Sequence, residues 1–120
     1  MSRTVDLFLD SDQPLDRFAS QLAELTGHPF VPSPDGQLFA MHAGEVTAYL
    51  AEHEFLDDDD LPLGEFRYVL SAPVRSAGSL EESAETACLR NVNTLFRSRG
   101  TTPSLLVLDL DRPDSRQVTP

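Results

Sequence analysis

The chain has 120 residues and a formal net charge of −11, from twenty Asp and Glu against nine basic residues. All nine basic residues are arginine, which excludes a Walker-type phosphate loop, a Schiff-base lysine and a lysine-dependent phosphatase centre. The acidic balance also excludes nucleic acid, whose binding needs a basic footprint, and points to a basic protein as the natural partner.

The segment Val5-Asp6-Leu7-Phe8-Leu9-Asp10 alternates, with Val5, Leu7 and Leu9 on one face, and is expected to form a strand. Asp12 and Pro14 signal a helix start, Asp as the cap and Pro in the first turn. Leu15, Phe18, Ala19, Leu22 and Leu25 then recur at three- and four-residue spacing, which predicts an amphipathic helix over 14–26. Gly27 closes it as a left-handed cap. Prolines at 29, 32 and 34 mark an extended connection with a short edge strand at Phe30-Val31.

Gln37 to His42 and Glu45 to His53 read as two strands joined by a tight turn at Ala43-Gly44. Asp57-Asp58-Asp59-Asp60 repel one another and disfavour a strand, so this stretch reads as an exposed acidic loop. Phe66 to Ala72 resumes as a strand, with Phe66, Tyr68 and Leu70 on one face and Val69 on the other, until Pro73 ends it. Ser79-Leu80-Glu81-Glu82 has the form of a capping box, opening a helix over 79–99. Its buried side is expected to carry Leu80, Ala84, Ala87, Cys88, Val92, Leu95 and Phe96. Arg97 and Arg99 complement the helix dipole, and Gly100 stops the helix. Leu105 to Leu110 is an apolar run of the kind found in a central strand.

The order β-α-β-β-β-α-β predicts an α+β fold: a two-layer sandwich with a mostly antiparallel sheet of about five strands and both helices on one face. Ferredoxin-like topology with one added strand is the leading version. The expected core includes Leu7, Leu9, Phe18, Leu22, Leu70, Leu95, Val107 and Leu108. Residues 1–111 form one domain on this reading, and the polar segment 112–120 is a flexible tail. Cys88 is the only cysteine, which fits a reducing compartment. No apolar stretch approaches the roughly 20 residues of a membrane helix, and no signal peptide is evident. The expected location is therefore cytoplasmic, without membrane association.

Asp10-Ser11-Asp12 follows a strand in the manner of the Asp-x-Asp pair of haloacid-dehalogenase phosphatases. Those enzymes need a lysine that this chain lacks, and strand closure by Asp10 with helix capping by Asp12 explains the same residues. Pooling Asp10 and Asp12 with Asp109 and Asp111 at a sheet edge would give hard oxygen ligands for Mg²⁺ or Ca²⁺. The alternative is that these strand-end carboxylates are simply solvated. The acidic loop fails the EF-hand register, because counting from Asp58 puts Pro62 at the fifth position and Leu63 where glycine is required. His28, His42 and His53 have no zinc-ligand spacing. Cys88 lies on an apolar helix stripe and is expected to be an inert thiol. These readings assign no catalytic, cofactor or metal residue, and the chain is expected not to be an enzyme.

Thr4-Val5-Asp6-Leu7-Phe8-Leu9-Asp10-Ser11-Asp12, the helix from Leu15 to Leu25 and the strand Phe66-Arg67-Tyr68-Val69-Leu70-Ser71 resemble small bacterial immunity proteins. These are the proteins that protect a producer from its own polymorphic or contact-dependent toxins. The resemblance spans about half of the chain and carries over no functional residue. It implies a short, cytosolic, non-enzymatic α+β protein that inhibits a basic toxin, such as a nuclease. Partner binding is then assigned to Asp57, Asp58, Asp59, Asp60 and Glu65, whose field would steer a cationic protein. A regulatory or small-ligand-binding domain is the alternative, and an Asp-dependent metal phosphohydrolase on Asp10 and Asp12 is the enzymatic rival.

Overall fold

Two α-helices and a seven-stranded sheet make up the computed structural model, which describes residues 3–52, 66–75, 82–99 and 104–108, with the backbone of 117–119. In chain order the elements are β1 (Arg3–Leu9), α1 (Leu15–Thr26), β2 (Phe30–Pro32), β3 (Leu38–Ala43) and β4 (Val46–Glu52). There follow β5 (Tyr68–Val74), α2 (Ala84–Arg99), β6 (Ser104–Leu108) and β7 (Gln117–Thr119). The sheet order is β2-β3-β4-β5-β1-β6-β7, and every neighbouring pair is antiparallel.

The expected α+β sandwich is the observed one. Val5, Leu7 and Leu9 of β1 share a buried cluster with Phe18, Ala19 and Leu22 of α1 and with Leu89, Val92 and Phe96 of α2. Both helices therefore cover the same face of the sheet. β1 lies between β5 and β6, so the α2 crossover joins two strands that have a third between them, a split β-α-β arrangement, whereas the α1 crossover carries the chain from β1 past β5, β4 and β3 to the edge strand β2. The sheet has seven strands: the short edge strand expected at Phe30-Val31 is present as β2, and one strand, β7, was not expected. β2 and β3 extend it beyond β4, and Gln117–Thr119, in the stretch expected to be a tail, pair with β6.

Several local expectations shift for physical reasons. The hairpin between β3 and β4 turns on Gly44-Glu45 rather than Ala43-Gly44, because Ala43 pairs with Val46 and Gly44 takes the positive φ of +61°. Pro73 does not end β5. The β4 ladder stops at Tyr49↔Ser71 while the β1 ladder continues to Arg3↔Val74, so Pro73 sits where β5 has a neighbour on one side only. A strand tolerates proline at such an edge.

Asp12 does not cap α1. Pro14 occupies the N-cap without a side-chain cap bond, and Gly27 (φ 73°) closes the other end as expected, its N–H donating to the Ala23 carbonyl. The capping serine of α2 is Ser83, whose hydroxyl accepts from the Thr86 N–H at 3.1 Å. Ser79 and Leu80 lie outside the described residues, and Glu82 is exposed. The buried side of α2 is rotated toward Glu85, Thr86, Leu89, Val92, Asn93 and Phe96. Ala84 and Ala87 are exposed, and Leu95 is half-buried, the one expected core residue that is not buried. Two polar residues of this stripe have side-chain partners: Thr86 accepts from the Ser83 hydroxyl, and Asn93 accepts from the Ser104 hydroxyl of β6.

The opposite face of the sheet holds a second buried cluster of Phe8, Phe66, Val69, Leu105 and Val107. Phe66 belongs here with Val69 and not with Tyr68 and Leu70, since it precedes β5 and its ring stands 6.3 Å from that of Phe8. β1 is therefore buried on both faces over Val5–Leu9.

Candidate functional site

One end of the sheet gathers residues that are far apart in sequence. Leu9 pairs with Tyr68 on one side and Ser104 on the other, and Tyr68 pairs with Glu52. The chain leaves β1 here through Asp10–Pro14 into α1. It also leaves β4 at Glu52 and returns at Phe66 at this same end.

The turn into α1 is fastened from β5. The Tyr68 hydroxyl donates to the Gln13 carbonyl, and Arg67 Nη1 donates to the same oxygen at 3.4 Å. Within the turn, the Gln13 N–H donates to the Ser11 hydroxyl at 3.1 Å. Arg67 also gives Nε and Nη2 to Glu52 Oε1 at 3.1 and 2.9 Å, with its guanidinium 5.1 Å from the centre of the Tyr68 ring. Both partners of that ion pair are about half exposed, so it orders the strand ends more than it stabilises the fold, at about 0–1 kcal/mol.

Tyr68 stacks on Phe18 with ring centres 4.7 Å apart, and Phe96 meets Phe18 edge-on at 6.2 Å. These separations fall in the favourable range for aromatic pairs. Burial pushes the Tyr68 hydroxyl above its ordinary pKa; Arg67 opposes that shift, while Glu52, Asp16 and Asp10 add to it. Four charged residues from separate parts of the chain thus come within electrostatic reach of one phenol.

Two neighbouring clefts border this aromatic group. The first, about 430 Å³, lies between the Asp10–Gln13 turn and Phe18, Gln21 and Phe96. The second, about 270 Å³, shares those last three residues and continues along α1 past Leu22 and Leu25 to Arg99. Asp12 and Glu24 are exposed on the rim, and Asp10 is half-buried.

Of the residues singled out in the sequence, Asp57, Asp58, Asp59, Asp60 and Glu65 lie outside the described residues, as do Asp109, Asp111 and His53. The proposed pooling of Asp10 and Asp12 with Asp109 and Asp111 meets an obstacle in register. β6 runs antiparallel to β1, with Leu108 beside Val5 and Ser104 beside Leu9. The end of β6 therefore emerges at the opposite end of β1 from Asp10. Among the described residues, no three His, Cys, Asp or Glu side chains stand together as a metal site would require. The His42 N–H donates to the Pro29 carbonyl at 3.3 Å, which brings its backbone close to the residue after His28.

Cys88 is half-buried against the helix-side core, where burial and then the Glu85 carboxylate raise its thiol pKa. Glu85 itself is 6% exposed, and its Oε1 has no hydrogen-bond partner among the described residues. Its place in the first turn of α2 suits a carboxylate. Sequence reading did not single out Arg67, Gln13 or the Phe18–Tyr68–Phe96 group as a site. Phe18 and Phe96 are visible as stripe residues, but their meeting with Tyr68 depends on tertiary contact alone. No helix of the described residues is long and apolar enough to cross a membrane.

No protein family, curated protein or solved structure shows significant similarity to this chain.

Proposed function

We propose that this chain is a non-enzymatic, cytoplasmic protein-binding module whose acidic end docks a basic protein, in the manner of an immunity-type inhibitor covering a cationic toxin. The observation that supports this reading is the attachment of a strongly acidic segment at an end of the sheet that carries further carboxylates. The segment 53–65 holds six acidic residues, including Asp57–Asp60 and Glu65, and no basic one. Its two attachment points, Glu52 and Phe66, sit at the end of the sheet that also carries Asp10 and Asp16. Arg67, the basic residue nearest that segment in the strand pair, is already engaged by Glu52. A concentrated negative field of this kind raises the association rate of a cationic partner by about 10- to 1,000-fold and weakens with salt.

The test uses a partner that co-purifies with the chain. Association rates are measured across ionic strength for the native chain and for a variant with Asp57, Asp58, Asp59 and Asp60 all replaced by Asn. A steep fall in rate with salt, flattened in the variant, supports the reading. An on-rate indifferent to both changes overturns it.

A second reading, a small-ligand-binding or regulatory domain, draws on the clefts, one of which falls within the size range of small-molecule pockets, about 300–1,000 Å³. The enzymatic rival, a metal-assisted phosphohydrolase, requires turnover of generic phosphate esters with Mg²⁺ that Asp10→Asn abolishes.

A further inference from the structure

We propose that the basic partner seats on the helix-free face of β2, β3 and β4, placing an apolar side chain over Ala40 between Val31 and Tyr49 and its cationic groups toward the strand ends near Asp35 and Glu52. This deepens the basic-partner reading and rests on it.

Strand register builds the seat. Val31 pairs with Ala40, and Ala40 with Tyr49, so the three lie in one row across three strands. Leu38 and Ala51 pair on one side of that row, and His42 and Thr47 on the other. Their alternating neighbours Met41, Val46, Ala48 and Leu50 belong to the helix-side core, which puts these seven positions on the opposite face. None of the seven is buried, and Val31 at 49% and Tyr49 at 37% are the exposed large hydrophobics among the described residues. Those two stand two strand spacings apart, about 10 Å, with only the methyl group of Ala40 between them. The dip fits one aliphatic or aromatic side chain.

Charge fixes the partner's chemistry. None of the seven positions is acidic or basic, in a chain of which 24% is charged. Charge that served solubility alone would be interspersed on an exposed strand face as well. An uncharged centre with a charged border is instead the anatomy of a protein interface. β3 runs antiparallel to β2 and β4, so Pro32, Leu38 and Glu52 come to the same end of the sheet. The turn carrying Asp35 joins β2 to β3 there, and β4 leads there into segment 53–65 with its six acidic residues. Asp35 accepts from the Ser33 hydroxyl at 2.6 Å and the Gln37 N–H at 3.0 Å, which hold its carboxyl below the usual range and therefore ionised. The other end of the β3–β4 hairpin carries Glu45.

Two other occupants fit less well. An added strand would need the β2 edge, where Pro29, Pro32 and Pro34 supply no N–H. A second copy would bring another charge of −11, and the face, about 20 Å by 14 Å, offers it about 300 Å² against the roughly 800 Å² per partner of a stable interface. A cationic partner that also reaches the acidic strand ends adds electrostatic attraction to the same small contact.

The probe is the peptide Arg-Arg-Gly-Phe-Gly-Arg-Arg, beside the form with Ser in place of Phe, and backbone amide shifts locate the site. The Phe form is expected to bind at least tenfold more tightly at low salt, with shifts centred on Val31, Ala40 and Tyr49, because the ring gains apolar burial that Ser lacks. Ala40→Leu fills the dip without changing charge, and is expected to remove the preference for Phe while leaving the salt dependence of the Ser form unchanged. Val31→Ser, at an exposed position, is expected to weaken the Phe form alone, and Tyr49→Phe to bind both forms as the native chain does. Equal affinity of the two peptides, or Phe-dependent shifts centred on another face, overturns the seat. Neither result touches the parent reading, which stands or falls with the salt dependence of the native partner's on-rate.

Discussion

Replacing Phe8 by Ala tests whether the sheet is buried on both sides. Phe8 points away from the helices, into the cluster with Phe66, Val69, Leu105 and Val107, and it is fully buried. Returning a buried aromatic side chain to water removes about 1.5–3 kcal/mol of transfer free energy. The cavity left beside Phe66 and Val69 brings the expected total for Phe8→Ala to about 3–5 kcal/mol. A domain of this kind has about 5–15 kcal/mol of stability, so the variant would lose a large share of it. In thermal terms the midpoint should fall by about 10–20 °C.

Urea unfolding followed by far-ultraviolet circular dichroism measures the quantity directly, with the slope checked against the native chain. Val31→Ala, at a position 49% exposed on the same face of the sheet, provides the control and should stay within about 0.5 kcal/mol of native. Part of the Phe8 loss should be shared with Phe66, because the two rings stand 6.3 Å apart. A double-mutant cycle with Phe66→Ala should return about 0.5–1.5 kcal/mol of coupling. A cost below about 1 kcal/mol for Phe8→Ala would mean that the side chain is solvated, and that the helix-free face is open.

Two further outcomes follow from local chemistry. Ser83→Ala should cost about 1 kcal/mol by removing the acceptor for the Thr86 N–H, measurable by denaturant unfolding, and no loss would return the cap to another residue. In a Tyr49→Phe background, the remaining tyrosine should ionise above the ordinary value near 10, followed by tyrosinate absorbance. Because the folded-state pKa is raised, the stability linked to Tyr68 is fully present below that value and is lost as pH rises through the folded one. Tyr68→Phe should flatten the alkaline end of the stability profile, and an unchanged alkaline slope would contradict it.

The fold was legible where one physical signal dominated. The stripe Phe18–Ala19–Leu22 gave α1, and Gly27 gave its end, because helical periodicity and positive φ are local properties. β1 was legible as a strand but not as a doubly buried one. Asp6 interrupts what would otherwise be a continuous apolar run, although it is itself only 5% exposed and accepts from the Thr4 hydroxyl. The face of α2 was misjudged because Ala84, Ala87 and Cys88 count as apolar by residue type. The buried positions Thr86 and Asn93 become tolerable through hydrogen bonds to Ser83 and Ser104 that periodicity does not reveal.

The candidate site was the least legible part. Asp10 and Asp12 could be marked as strand-end carboxylates, and Asp57–Asp60 as an acidic run. That Glu52, Arg67 and Gln13 meet depends on β5 lying between β4 and β1, a long-range choice of partner. The β7 pairing likewise draws on backbone bonds that a polar composition does not advertise.

The position of β1 also sets an order of assembly. The β3–β4 hairpin can close within a few residues, but β1 must find partners far along the chain: Leu7 pairs with Leu70 and with Leu106. During synthesis at about 5–20 residues per second, an apolar strand made early waits on the order of 5–20 s for β6 to be made. Until then it is a sticky edge without its native neighbours, exposed to mispairing with other nascent chains. Loop-closure entropy delays such distant pairings further, so the native strand order favours slow, late consolidation of the sheet centre. A charge of −11 acts on this interval as well, since mutual repulsion between unfinished chains lowers the frequency of their encounters.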